Sequence, residues 1–154
     1  MTGNTVVDSL NYILKNKELD DSKFIHLDNS KKMILATFHR RENWGENIEN
    51  FAFALKESLK KHSNLFLLLP LHKNSKVRQT LIRVLKDHPR ILLTEPLDYL
   101  EFISLMKKSY FVITDSGGIQ EEAPSLGKPV LILRENTERE EAISSGNSIL
   151  VGIK

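Results

Sequence analysis

Six short apolar stretches alternating with amphipathic helical segments predict an α/β fold, a Rossmann-like, doubly wound parallel sheet. Two further observations point the same way. The stretches are continuously apolar rather than alternating, as in strands covered on both faces. The unusual polar clusters also fall just after such stretches, and the carboxyl ends of parallel strands share one edge, where open α/β domains bind ligands.

The elements follow in order. Val6, Leu10 and Ile13 share one helical face, ahead of a polar connector through Asp20, Asp21 and Ser22 to Lys31. The first strand is expected over 33–38, directly before His39, Arg40, Arg41 and Glu42. Ile48, Phe51, Ala52, Leu55 and Leu59 then recur at helical spacing, which gives one apolar stripe. A second strand over 65–69 is ended by Pro70, with His72 and Asn74 behind it. Val77, Leu81, Val84 and Leu85 mark the next helix, and a short strand over 91–93 closes before Pro96. Tyr99, Phe102, Ile103 and Met106 form another helical face. The last three strands are expected over 111–114, 130–133 and 148–151, with Ser116 to Gly118 after the first of them and Arg134 after the second. A Rossmann-like strand order is the expectation.

Bulk properties narrow the function. A chain of 154 residues with 40% hydrophobic and 27% charged residues is one ordinary globular domain. Its formal charge of +2 is too small to argue for nucleic acid, and the pairs Lys31-Lys32, Lys60-Lys61 and Lys107-Lys108 are scattered. The absence of cysteine excludes disulfides, thiolate zinc sites and a cysteine nucleophile. No apolar run reaches membrane-spanning length and no signal peptide opens the chain, so the expected setting is the cytoplasm, without a membrane partner.

The richest stretch runs from Ile113 through Asp115, Ser116, Gly117 and Gly118 to Glu121, Glu122 and Pro124. Glycines between a strand and a helix let the backbone approach a ligand, and the helix start offers unpaired N–H groups that suit a phosphate. A carboxylate one turn later suits a sugar, because it accepts hydrogen bonds from both hydroxyls of a ribose. The plainer alternative is that Asp115 or Ser116 caps the helix. The loop His39-Arg40-Arg41-Glu42-Asn43 combines guanidiniums fit for a diphosphate with an imidazole that exchanges protons near neutrality; its alternative is a surface loop with an internal Arg–Glu pair. His72 reads equally as an exposed loop histidine. Residues 134–141 read as a charged loop that opens a helix at Thr137, and Trp44 as packing for the arginine loop. A metal held by His39, His72 and Glu42 lacks a close ligand pair, so none is expected.

In this order the residues resemble the non-hydrolysing UDP-N-acetylglucosamine 2-epimerases. The resembling segments are Thr2-Gly3-Asn4-Thr5-Val6, His39 to Asn43, Pro96-Leu97-Asp98-Tyr99, Thr114 to Pro124, Leu126 to Val130 and Thr137-Glu138-Arg139. One departure is Glu140, where the family usually has proline; glutamate is also favourable near a helix N-terminus.

The resemblance implies the C-terminal half of a two-domain, glycosyltransferase-B-type fold, with the family's N-terminal domain absent. Residues 1–31 would then be the interdomain helix and connector and 32–154 the core of a single UDP-binding domain. It implies an isomerase of cell-envelope polysaccharide biosynthesis that interconverts UDP-N-acetylglucosamine and UDP-N-acetylmannosamine by eliminating UDP and adding it back, with no cofactor. His39 would be catalytic or assist at the phosphates. Arg40, Ser116, Gly117, Gly118 and Glu122 would bind UDP, with Leu97 and Phe102 beside the uracil. Arg40, Glu42 and His72 match positions of an activator site for a second UDP-N-acetylglucosamine. The family's main carboxylate acid/base residues belong to the absent domain, so the isolated chain is expected to be inactive. Its expected partners are UDP or UDP-N-acetylglucosamine and a separate N-terminal-domain chain. The alternatives are a non-catalytic UDP-sugar-binding or split-enzyme subunit, and the donor domain of a glycosyltransferase.

Overall fold

The computed structural model describes residues 5–19, 24, 30–139, 143–144 and 146–152, without the side chain of Glu42. Thr2 to Asn4, Asp20 to Ser22, His26 and Glu140 lie outside the described residues.

Helix α1 (Thr5–Asn16) precedes β1 (Lys32–Thr37), a 3-10 turn (Arg41–Asn43), α2 (Glu46–Lys61), β2 (Leu65–Pro70) and α3 (Ser75–Leu85). Strand β3 (Ile91–Thr94), α4 (Tyr99–Lys108), β4 (Phe111–Thr114), α5 (Ile119–Ser125), β5 (Val130–Ile132) and β6 (Ser148–Leu150) follow. All strand pairs are parallel and the order is β3-β2-β1-β4-β5-β6. This is the doubly wound arrangement expected, and the direction of winding reverses between β1 and β4. Loops leaving those two strands therefore diverge to opposite faces and leave a crevice between them.

The core divides by face. Ile34, Ala36, Leu67, Leu69 and Ile113 pack under α2 and α3, against Ala52, Leu55, Leu59, Leu81 and Leu85. Leu35, Leu68, Val112, Val130 and Ile132 pack on the other face against Leu10, Ile103, Met106 and Ala123. Successive strand residues point to opposite faces, so burial on both sides requires an unbroken apolar run, as these strands show.

Local signals set the helix ends nearest the site. The Asn74 side chain caps α3 by accepting from the Lys76 and Val77 amides at 3.0 and 3.4 Å. Asp98 and Glu101 form a reciprocal capping box at the start of α4. Both helices thus begin at a fixed point on the carboxyl edge of the sheet.

Candidate functional site

A cavity of about 620 Å³ opens at that edge. Its wall comes from Thr37 and His39 after β1, Pro70 to Lys73 after β2, Pro96 to Tyr99 and Phe102 around the start of α4, and Ile119 and Glu122 of α5. Of the residues expected to act together, His39, His72, Leu97, Phe102 and Glu122 do line one space. Ser116, Gly117 and Gly118 lead into Ile119 at its border, and Arg40 stands one residue beyond His39; none of these four lines the cavity itself. The Glu42 side chain is outside the described residues.

Glu122 is the buried carboxylate of this wall, 6% exposed. Its Oε1 accepts a hydrogen bond from the Tyr99 hydroxyl at 2.5 Å. Burial, that bond and the carboxylate charge all push the Tyr99 phenol well above its ordinary range, so it remains a donor. Its neighbour Glu121 has a different fate, an ion pair with Arg139 outside the cavity. Adjacent helical positions lie about 100° apart, which separates two identical side chains into two environments.

His39 is exposed at the cavity mouth, its ring 5.6 Å from that of His72 and edge-on to it. Desolvation lowers its pKa below 6.5; the Asp115 charge works against this and His72 adds to it. Nδ1 of His72 accepts from the Asn74 amide at 3.0 Å, which leaves the neutral ring's proton on Nε2. The Trp44 ring lies 6.0 Å from His72 and the Arg41 guanidinium 6.0 Å over that indole, consistent with a packing role for Trp44.

The junction after β4 differs from the simple cap. Asp115 does not cap α5; it is fully buried and turned back toward the loop after β1. Its carboxylate accepts from the amides of His39 at 2.9 Å and Arg40 at 2.8 Å, and from Nδ2 of Asn43 at 2.9 Å. Helix α5 begins at Ile119 with Gly118 at its N-cap, and the Ser116 carbonyl accepts from the Gln120 amide at 3.3 Å. The Ser116 amide donates to Oγ1 of Thr114, which itself shares a 2.8 Å hydrogen bond with Oγ1 of Thr37 across the sheet. The amides of Gly117 and Gly118 have no backbone acceptor among the described residues. A side chain added at Gly118 would meet nothing within 4 Å, whereas one at Gly117 would come within 3.5 Å of the Glu138 carboxylate.

The loop after β5 closes the other side. Thr137 donates from Oγ1 to Gln120 Oε1 at 2.6 Å and accepts from the Arg139 amide at 3.1 Å; residues 140–142, over which the helix expected to open there would run, lie outside the described residues. Arg134 pairs with Glu138 at 2.9 Å. The backbone amide of Glu138, followed by Arg134 and Arg139, holds the Glu138 carboxyl below the usual carboxylate range. Among the described residues no cluster of His, Cys, Asp and Glu could hold a metal ion, and no helix is long and apolar enough to cross a membrane.

Sequence reasoning missed Asp115 and Asn43 as the tie between loops, and Thr37 as part of the cavity wall. An acid directly after a strand, with an arginine-rich loop after the neighbouring strand, was a usable signal for the tie. Its use required knowing that β1 and β4 are adjacent.

Known proteins share this arrangement. The profile of the family described as UDP-N-acetylglucosamine 2-epimerase matches residues 1–154. A UDP-N-acetylglucosamine 2-epimerase of Yersinia pestis is 46% identical over 159 residues, covering 99% of this chain and 42% of that protein. A crystal structure of the Neisseria meningitidis UDP-GlcNAc 2-epimerase bound to UDP-GlcNAc superposes with a TM-score of 0.92 at 44% identity, over 100% of this chain and 43% of that one. The S. aureus MnaA–UDP structure gives 0.89 at 44% identity, over 100% of this chain and 41% of that one. The chain thus spans about two-fifths of the length of these relatives.

Proposed function

The chain belongs to the UDP-N-acetylglucosamine 2-epimerase family, and on that footing we propose that it is the UDP-binding half of such an epimerase, which interconverts UDP-N-acetylglucosamine and UDP-N-acetylmannosamine. The observation that carries the reading is the Glu122 carboxylate, buried in the cavity and held by Tyr99, beside a glycine loop whose Gly117 and Gly118 amides have no backbone acceptor among the described residues. That pairing suits a ribose and a diphosphate in one ligand. The Neisseria relative binds UDP-GlcNAc and the S. aureus relative UDP, at an identity that favours an epimerase over a glycosyltransferase donor domain.

In this reading the uracil lies against Leu97, Tyr99 and Phe102, the ribose hydroxyls donate to Glu122, and the diphosphate meets Ser116, Gly117 and Gly118 with Arg40 nearby. Breaking the sugar C1–O bond develops negative charge on the departing UDP, which amide donors and guanidinium stabilise; removal of one such donor costs about 3–4 kcal/mol of barrier stabilisation in other enzymes. His39, neutral near pH 7, assists at the phosphates. No hydride leaves the sugar, so no nicotinamide is needed. Arg40, Glu42 and His72 contribute to an activator site for a second nucleotide sugar. A cytoplasmic place in cell-envelope polysaccharide synthesis is part of the same proposal, supported by the nucleotide-sugar chemistry alone.

Calorimetry tests the reading. The chain is expected to bind UDP with modest affinity and uridine much less, and Glu122→Ala is expected to weaken UDP by about 1–3 kcal/mol while leaving inorganic diphosphate nearly unaffected. Equal binding of UDP and uridine would remove the diphosphate site. An unchanged UDP affinity in Glu122→Ala would move the ribose elsewhere.

A further inference from the structure

One buried carboxylate joins the two loops of the crevice. Asp115 is 0% exposed, and its oxygens accept from His39 N at 2.9 and 3.1 Å, Arg40 N at 2.8 Å and Asn43 Nδ2 at 2.9 Å. These donors stand on the loop after β1, whereas the backbone of Asp115 leads directly into Ser116, Gly117 and Gly118 after β4. Asn43 is itself 1% exposed and also faces the Leu133 carbonyl after β5.

We propose that Asp115 is a positioning residue of the site, locking the His39–Arg40 backbone to the glycine loop so that imidazole and loop amides face one phosphate. The identity of that phosphate rests on the UDP-binding reading; the lock does not. Oδ2 receives donors from His39, Arg40 and Asn43, and Oδ1 receives the His39 amide as well. An alanine removes both acceptors and leaves these donors unpaired in the interior, whereas an asparagine with its carbonyl at the Oδ2 position would keep all three.

The charge has a second effect. It attracts the proton of His39 and opposes both His72 and the desolvation of the ring by the cavity wall, which lower its pKa although the residue as a whole is exposed at the mouth. Among the described residues, the other charged or titratable groups of its loop and of the cavity wall are Arg40 and Arg41 on the loop, and Lys73, Asp98, Tyr99 and Glu122 in the wall. Removal of Asp115 leaves the lowering causes uncompensated, so His39 must titrate at lower pH. A purely structural tie would not dictate that direction.

The test is NMR of the chain and of Asp115→Ala, with UDP calorimetry on both. In the unsubstituted chain the His39 and Arg40 amides are expected to exchange with solvent far more slowly than the Arg41 amide. In Asp115→Ala they lose that protection, the His39 titration moves to lower pH, and UDP binds roughly tenfold more weakly. Unchanged amide protection or an unchanged His39 titration in a folded Asp115→Ala overturns the proposal. Should that variant not fold, rapid exchange of the two amides in the unsubstituted chain overturns it and protection supports it. A chain that fails to bind UDP but shows the amide and titration behaviour refutes the proposed ligand and upholds the lock.

Discussion

At the scale of single residues, the depressed pKa of His39 ties the site to stability. The folded chain holds this imidazole below 6.5, chiefly through desolvation. Above that pH both folded and unfolded chains carry it neutral, so it contributes no pH dependence. As pH falls through 6.5 the unfolded chain takes up a proton that the folded chain resists, and stability declines until pH passes the folded pKa. Urea midpoints measured between pH 7.5 and 5 are therefore expected to fall, and His39→Asn is expected to flatten part of the slope. His88, also lowered by burial and by Arg90, accounts for a share that remains in the variant. A slope identical in the variant would mean that His39 titrates alike in both states. His39 itself was legible in the sequence, because a histidine directly after an apolar strand is a local pattern. The partner that tunes it was not. Asp115 is 76 residues away along the chain, and only the adjacency of β1 and β4 brings its carboxylate to the His39 amide.

At the scale of elements, the turn after α5 shows how strongly one backbone conformation can hold a site-bearing helix. The Lys128 amide donates to the Ala123 carbonyl at 2.9 Å and the Gly127 amide to the Pro124 carbonyl at 2.9 Å, the paired bonds of a Schellman motif. Gly127 supplies the required left-handed residue at φ 69°. Nothing lies within 4 Å of a side chain placed there, so Gly127→Ala would suffer backbone strain without a clash. The expected loss is about 1–2 kcal/mol, read as a lower urea midpoint with unchanged slope. No loss would mean that the helix end rearranges freely and does not hold Glu122 in place. Elements of this kind were largely legible. The six strands stand where continuous apolar runs put them, and β4 matches its expected span of 111–114. Edges moved by a residue or so for physical reasons. Strand β1 ends at Thr37, yet Phe38 remains buried at 2% exposure, so apolarity outlasts the hydrogen-bond ladder there. Pro70, expected to end β2, is its last residue, opposite Thr94. The short α5 starts later than Ser116 because Ser116 and the glycines form the turn that leads into it, which periodicity alone cannot resolve.

At the scale of the whole molecule, the cavity would in the proposed reading be one wall of a reaction site, and it lacks what inversion at a sugar carbon demands. Epimerisation at C2 requires a base on one face of the sugar and a proton donor on the other. The carboxylates that line the cavity have other places in the proposed reading, Glu122 between the Tyr99 hydroxyl and the ribose and Asp98 at the Glu101 amide of its capping box. The remaining proton carriers of the imidazole type, His39 and His72, stand 5.6 Å apart on the same wall and cannot serve opposite faces of one ring. The cavity mouth is also open, so water would reach any unsaturated intermediate. The expectation is therefore that this chain of 154 residues binds UDP-N-acetylglucosamine through its UDP portion without turning it over. Incubation in heavy water, followed by NMR at C2 of the sugar, is expected to show neither deuterium uptake nor the manno epimer. Addition of a separately expressed N-terminal domain from a family member is expected to restore some turnover where the halves dock. Deuterium incorporation by the chain alone, abolished by His39→Ala, would show that one wall and an imidazole suffice to break the C2–H bond, and the half-site reading would then be wrong.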